Sequence, residues 1–198
     1  MAKRPLADAP EVEIDSLTAL RSWLTKHHSQ PRGVWLVTYK KADPDRYVPY
    51  PDIVDQCLCF GWVDSLPRTK DDTRSMLYIS PRKPSSHWSL VNKEKVSRLI
   101  ATGQMTEAGL AVVTLAKVNG SWTALDDVEN LVIPDDLQAA FDANPGAENN
   151  WHAFPRSVKR GALEIVLNAK RAPTRAAKIE TIVTDSAEGR RPFQWRKS

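Results

Sequence analysis

The sequence predicts an α+β protein: a small antiparallel sheet packed with helices, followed by a helical C-terminal unit. Three observations carry this. Apolar residues near the start recur at helical spacing, as in Leu17, Leu20, Trp23 and Leu24. The segments GVWLVTYKK, WVDSLPRT and RSMLYIS are rich in β-branched and aromatic residues and read as strands. After SWTALDDVENLVIP no further strand pattern occurs, only short helical stretches.

In chain order, the prolines Pro5 and Pro10 mark residues 1–15 as a flexible lead-in. Ser16 is placed to cap the helix LTALRSWLTKHH. The strand GVWLVTYKK and the loop DPDRYVPY follow. Pro51 suits the first turn of a helix, in which Ile53, Val54, Cys57 and Leu58 share a face, and Gly61 ends it. The next two strands are joined through the polar turn KDD. PRKPSSHWS is a connection into a helix from Ser89 to Ala101, stopped by Gly103, and another helix spans Thr106 to Val118. Four short helices are expected at 134–143, 146–153, 156–170 and 173–187. The expected division is an α+β domain over 16–125 and a small helical domain over 126–198.

Composition sets outer limits on function. Of 198 residues, 41% are hydrophobic and 26% charged, ordinary proportions for a soluble domain. Seven tryptophans are the oddity, able to fill a core or line a pocket. The N-terminus has no apolar stretch of the secretory kind. No run reaches the ~18 apolar residues of a membrane span. With two cysteines one residue apart, the chain reads as cytoplasmic with reduced thiols. The net charge is +4, and residues 156–198 carry 11 Lys/Arg against 4 Asp/Glu. A basic end can meet nucleic acid or another partner, or form a solvated helix face.

Three motifs stand out in order: CLCFGWVDS, YISPRKPSSHWSLVN and NAKRAPTRAAKIE. Together they resemble the bacterial YdeI/OmpD-associated family, also called bacteriocin-protection proteins, over roughly Leu17 to Ile182. Val63 stands where the family pattern has isoleucine, and Cys57 where alanine is expected, while Cys59 matches the family cysteine. The resemblance implies a role in stress or antimicrobial resistance but no defined chemistry.

The residues themselves carry no named catalytic machinery: no Walker loop, H-E-x-x-H, G-x-G-x-x-G dinucleotide loop or G-x-S-x-G elbow. Cys-x-Cys lacks the further ligands of a tetrahedral metal site, so no metal and no cofactor is expected, and the pair reads as core wall. Cys59 is kept as a candidate reactive thiol. The remaining pattern is PRKPSSHWSLVN. Arg82 and Lys83 precede a helix that Ser86 or Ser89 could cap, and helix N-termini stabilise anions. Trp88 offers a stacking face, Trp62, Asp64 and Tyr78 could complete a concavity, and Asn92 lies one turn on from Ser89. Lys170, Arg171, Thr174 and Arg175 form a second basic surface around a helix–helix turn.

The leading expectation is therefore a protein that binds a small anionic or aromatic ligand through Trp62, Asp64, Tyr78, Arg82, Lys83, Ser86, Trp88, Ser89 and Asn92. An enzyme using Asp64 as general base, with Tyr78 or His87 assisting, is the first alternative. Nucleic-acid or protein binding through the basic C-terminal helices is the second.

Overall fold

The computed structural model describes residues 6–194. The chain divides into two units, Met1–Thr123 and Ala124–Ser198, each built on its own apolar core. The α+β class stands, and among the described residues no helix is long and apolar enough to cross a membrane.

The first unit begins with a short 3-10 turn at Leu6–Asp8 and then β1 (Glu11–Glu13), α1 (Leu17–His27), β2 (Val34–Tyr39) and α2 (Tyr50–Cys59). β3 (Trp62–Thr69), β4 (Arg74–Pro81), α3 (Leu90–Ala101) and α4 (Glu107–Val118) complete it. The sheet order is β1-β2-β4-β3. The β2–β4 and β3–β4 pairs are antiparallel, as the three sequence-legible strands suggest. β1 is a correction: it lies inside the stretch expected to be a loose lead-in and pairs parallel with β2. Three residues are too few to show alternation, but Ile14, bonded to the Val37 carbonyl at 3.0 Å, is buried and anchors the segment.

Strand parity decides which side chains reach the core. Val34 faces Ile79 and Leu36 faces Leu77 across β2–β4, and all four belong to the main apolar cluster. The intervening pairs, Trp35 with Tyr78 and Val37 with Met76, must point to the other face. On β3, Trp62 lies opposite Pro81 and Asp64 opposite Ile79, so both start on the core side. An irregularity between Asp64 and Pro67 then breaks the alternation.

Helix α2 is the hub of this unit, packing against α1, β3, α3 and α4. Ile53, Val54, Gln56, Cys57, Leu58 and Cys59 are all buried on it, so it is enclosed on most sides. Its end is a tight junction. Gly61 adopts φ +72°, a left-handed turn that glycine enters without a Cβ clash. The Cys59 carbonyl accepts bonds from the Thr106 amide (3.1 Å) and hydroxyl (2.6 Å), which start α4. Gly109 lies so close that an added Cβ would sit 2.3 Å from the Cys59 carbonyl oxygen.

The second unit holds α5 (Asp126–Glu129), α6 (Asp135–Asp142), α7 (Pro145–Ala153), α8 (Arg156–Asn168) and α9 (Ala172–Ala187). Pro145 and Pro173 open their helices in the first turn, where no backbone N–H is needed. Leu137, Phe141, Trp151, Val166 and Ile182 make the core beneath α9, which packs against α6, α7 and α8.

Ion pairs in this unit offset part of the basic surplus inferred from residues 156–198. Arg160 binds Glu129 and Glu164, Arg156 binds Glu129, Arg175 binds Asp136, and Arg190 binds Asp185 and Glu188. Glu129 and Asp136 lie upstream of residue 156. Over residues 124–198 eleven Lys/Arg face eleven Asp/Glu, so the net +4 resides in residues 1–123, with 17 Lys/Arg against 13 Asp/Glu.

Two glycine substitutions separate close approach from mere flexibility. Gly109→Ala forces a Cβ into α2 backbone that cannot rotate away, and is expected to cost about 2–3 kcal/mol in chemical unfolding. Gly161→Ala, inside α8 with nothing within 4 Å of the new Cβ, should instead stabilise by about 0.5–1 kcal/mol.

Candidate functional site

The backbone brings Arg82 to the α2 junction. Its amide donates to the Gly61 carbonyl at 2.9 Å, so the end of β4 is tied to the entry of β3. The chain then turns, the Ser86 amide closing onto the Lys83 carbonyl at 2.9 Å, and enters α3. Ser89 is the N-cap, its Oγ accepting the Asn92 amide at 3.4 Å. The Leu90 and Val91 amides have no place in the intrahelical ladder, as in any first turn.

Arg82 is 8% exposed. Its guanidinium lies 3.7 Å over the Trp88 ring and donates through Nη2 to the His87 carbonyl. Nε and Nη1 are buried and have no hydrogen-bond partner among the described residues. Burial pushes this guanidinium down to about 10, with the Asp64 charge acting in the opposite direction. It therefore remains a cation at neutral pH, held in a low-dielectric place with two donors unspent. Each such donor costs about 1–3 kcal/mol relative to a paired one.

The rest of the expected set divides. Trp88 is 2% exposed, with Arg82 over its ring and the Trp122 ring tilted against it at 5.0 Å. It supports the guanidinium and leaves no open face for a ligand ring, which corrects the aromatic-stacking expectation. Trp62 is fully buried, its Nε1 donating to the His28 carbonyl at 2.9 Å and its ring meeting Trp23 edge-on. It is core. Tyr78 points to the opposite sheet face from Asp64, packing edge-on against Trp35 at 5.3 Å. Period-two parity removes it from any shared hollow with Trp62 and Asp64. Lys83 is exposed on the turn, Ser86 is half-buried there, and Asn92 is half-buried one turn into α3.

Asp64 accepts a hydrogen bond from the Tyr50 hydroxyl at 2.6 Å. Neither Tyr78 nor His87 bonds to it among the described residues, so the assistants expected for a general base are not in place. Tyr50 was missed by sequence reading, since it precedes a proline at the start of α2 and looks like loop. The bond to Asp64 and partial burial raise its phenol to about 12. The phenol thus stays protonated at neutral pH and acts as donor.

Cys57 and Cys59 are free and buried. Burial pushes both thiols up; Cys57 feels Asp64 besides, while Arg21 draws Cys59 partly back. Neither is a thiolate at neutral pH, which removes Cys59 as a nucleophile in this conformation. The different charged neighbours fit residues two apart on a helix. No group of three or more His, Cys, Asp or Glu able to hold a metal occurs among the described residues.

Two further residues extend the site. Trp122 backs Trp88, and the Lys117 amine lies 5.3 Å over the Trp122 ring. Two packed rings, Trp88 and Trp122, therefore lie between the cations Arg82 and Lys117. A contact between segments more than thirty residues apart leaves no periodic trace in sequence. In the other unit, Lys170, Arg171 and Thr174 are exposed, whereas Arg175 is held by Asp136 and donates to the Val166 carbonyl at 3.0 Å. That turn is braced, and the expected second basic surface loses its central cation to an ion pair.

A family model, Domain of unknown function (DUF8412), matches residues 12–112. A second, described as Bacteriocin-protection, YdeI or OmpD-Associated, matches residues 130–189 and agrees with the resemblance carried by NAKRAPTRAAKIE. CLCFGWVDS and YISPRKPSSHWSLVN fall instead in the first match. Neither the curated proteins nor the solved structures hold a significant match to the chain.

The Tyr50–Asp64 bond predicts a specific alkaline titration. Because the folded phenol is raised, its stabilising bond is intact below the ordinary value of 10 and is lost as pH rises through about 12. The phenolate absorbance difference between the wild type and Tyr50→Phe should show this late titration, and Asp64→Ala should return it toward 10.

Proposed function

From a chain that belongs to the DUF8412 family through residues 12–112 and carries a YdeI/OmpD-associated segment over 130–189, we propose a binding protein for a small oxoanion. The ligand is a carboxylate or phosphate monoester held by Arg82 at the start of α3. One observation carries the reading: a buried guanidinium with two unpartnered donors beside a helix N-terminus. Protein interiors rarely retain an uncompensated cation, since its solvation loss needs a counter-charge. The Asp64 charge acts on Arg82, but the two make no ion pair among the described residues.

The chemistry of binding follows from the parts. An oxoanion can accept from Nε–H or from Nη1–H, each a charge-assisted and directional contact. The first-turn amides of α3, which starts just after Ser89, are a further source of partial positive charge. Trp88 holds the guanidinium plane from behind, so Arg82 is pre-oriented and little rotamer freedom is lost on binding. Access requires the 82–89 turn to open, because the donors are sealed in this conformation. Lys83 is an exposed cation on that turn.

A role in bacteriocin protection is part of the proposal and is supported by the description of the family matched at 130–189. A cytoplasmic location is likewise proposed, from two buried free thiols that suit a reducing compartment.

Arg82→Met separates binding from folding. Isothermal titration of the wild type with inorganic phosphate, acetate and a panel of phosphorylated and carboxylated metabolites should give saturable binding at low salt. Arg82→Met should abolish it while unfolding at the same or higher denaturant concentration, because a buried unpaired charge has been replaced by a packed thioether. Unchanged affinities in Arg82→Met would show that the site is elsewhere.

A further inference from the structure

Within the second unit, α6 and α9 line a cavity of ≈ 590 Å³ that is open to solvent. This is inside the range of about 300–1,000 Å³ usual for sites that take small organic ligands. From α9 it is lined by positions 172, 175, 176, 179, 180, 183 and 184, the three-and-four spacing of one continuous helix face. Alanine stands at 140, 172 and 176, and the space exists because those side chains are short. With Ile179 and Val183 they give an apolar floor.

The charges around this floor do not balance. Asp136 and Arg175 satisfy each other through two bonds, at 2.5 and 2.9 Å. Asp136 also accepts the Leu137 amide, and Arg175 serves the Val166 carbonyl. Both are held, and as a pair they are neutral. The third charged residue, Glu180, is exposed at the rim, and its carboxylate has no hydrogen bond or ion pair among the described residues. The lining therefore carries one unmatched negative charge beside an apolar floor.

We propose that this cavity is a second binding site, for an organic monocation: an ammonium or amidinium head on Glu180 and a flat hydrocarbon body over Ala140, Ala176, Ile179 and Val183. It is independent of the Arg82 site, lying in the other unit and selecting the opposite charge. An anion of the same shape would meet Glu180 unfavourably, and the Arg175 guanidinium is already engaged by Asp136.

The test uses the full chain and three probes of one ring system: naphthylmethylamine, naphthylmethanol and naphthoate. Titration followed by calorimetry or ligand-observed NMR should rank the amine tightest. Glu180→Gln, an exposed isosteric change, should weaken the amine about tenfold and erase its advantage over the alcohol. Ala176→Phe, which fills the cavity, should remove binding of both. Arg82→Met should leave amine binding unchanged, so that failure here and failure of the anion site are distinct results. The proposal is overturned if no amine binding is seen, if naphthoate competes for the cavity as well as the amine, or if Glu180→Gln leaves amine affinity intact. Should Ala176→Phe not fold, Glu180→Gln decides the matter alone.

Discussion

The carbonyl end of α2 is the constraint on which the first unit turns. Three segments that are distant in sequence meet there. Cys59 gives its carbonyl to Thr106, and Gly61 gives its carbonyl to the Arg82 amide. Gly109 lets α4 approach to a distance no side chain would permit. The last carbonyls of any helix lack intrahelical partners, so a buried helix end must find donors elsewhere. Here the donors come from the start of α4 and the end of β4. The stretch QCLCFGWVD is conspicuous for its cysteines, yet its backbone does the structural work and the thiols only fill space.

That junction explains how an arginine comes to be buried. Once its amide is fixed to Gly61, Arg82 has its side chain directed toward the turn leading into α3, where Trp88 and the His87 carbonyl receive it. Two of its donors are left without partners. Such a group is costly in a finished fold, and costs of this kind concentrate where a ligand completes the pairing. In the second unit several cations are held by carboxylates, Arg160 by Glu129 and Glu164 and Arg175 by Asp136, while Glu180, an acid at a cavity edge, has no ion pair among the described residues.

Much of the fold was legible in the chain. The Ser16 and Ser89 caps, Pro51 and Pro173 in first turns, and the left-handed glycines at 61 and 103 are local effects readable from a few neighbouring residues. The candidate site was half legible. PRKPSSHW marks the right turn because an arginine close before a capped helix is itself a local pattern. Tyr50 and Trp122 were not legible, since their partners Asp64 and Trp88 lie on other elements. The charge asymmetry misled for a related reason. A sum over residues 156–198 counts cations whose acids, Glu129 and Asp136, stand earlier in the chain.

By itself the sequence determined most segments that become helix or strand, β1 and α5 excepted, and that apolar residues suffice for a packed interior. Those outcomes depend on backbone conformation and on spacing within a turn or two. Only the tertiary structure decided which face Tyr78 occupies, that Trp62 and Trp88 are interior rather than pocket, and that Arg82 is buried with donors to spare. Each of these depends on strand register and on contacts between distant segments. A shift of one residue in register would reverse the first, and no local propensity records it.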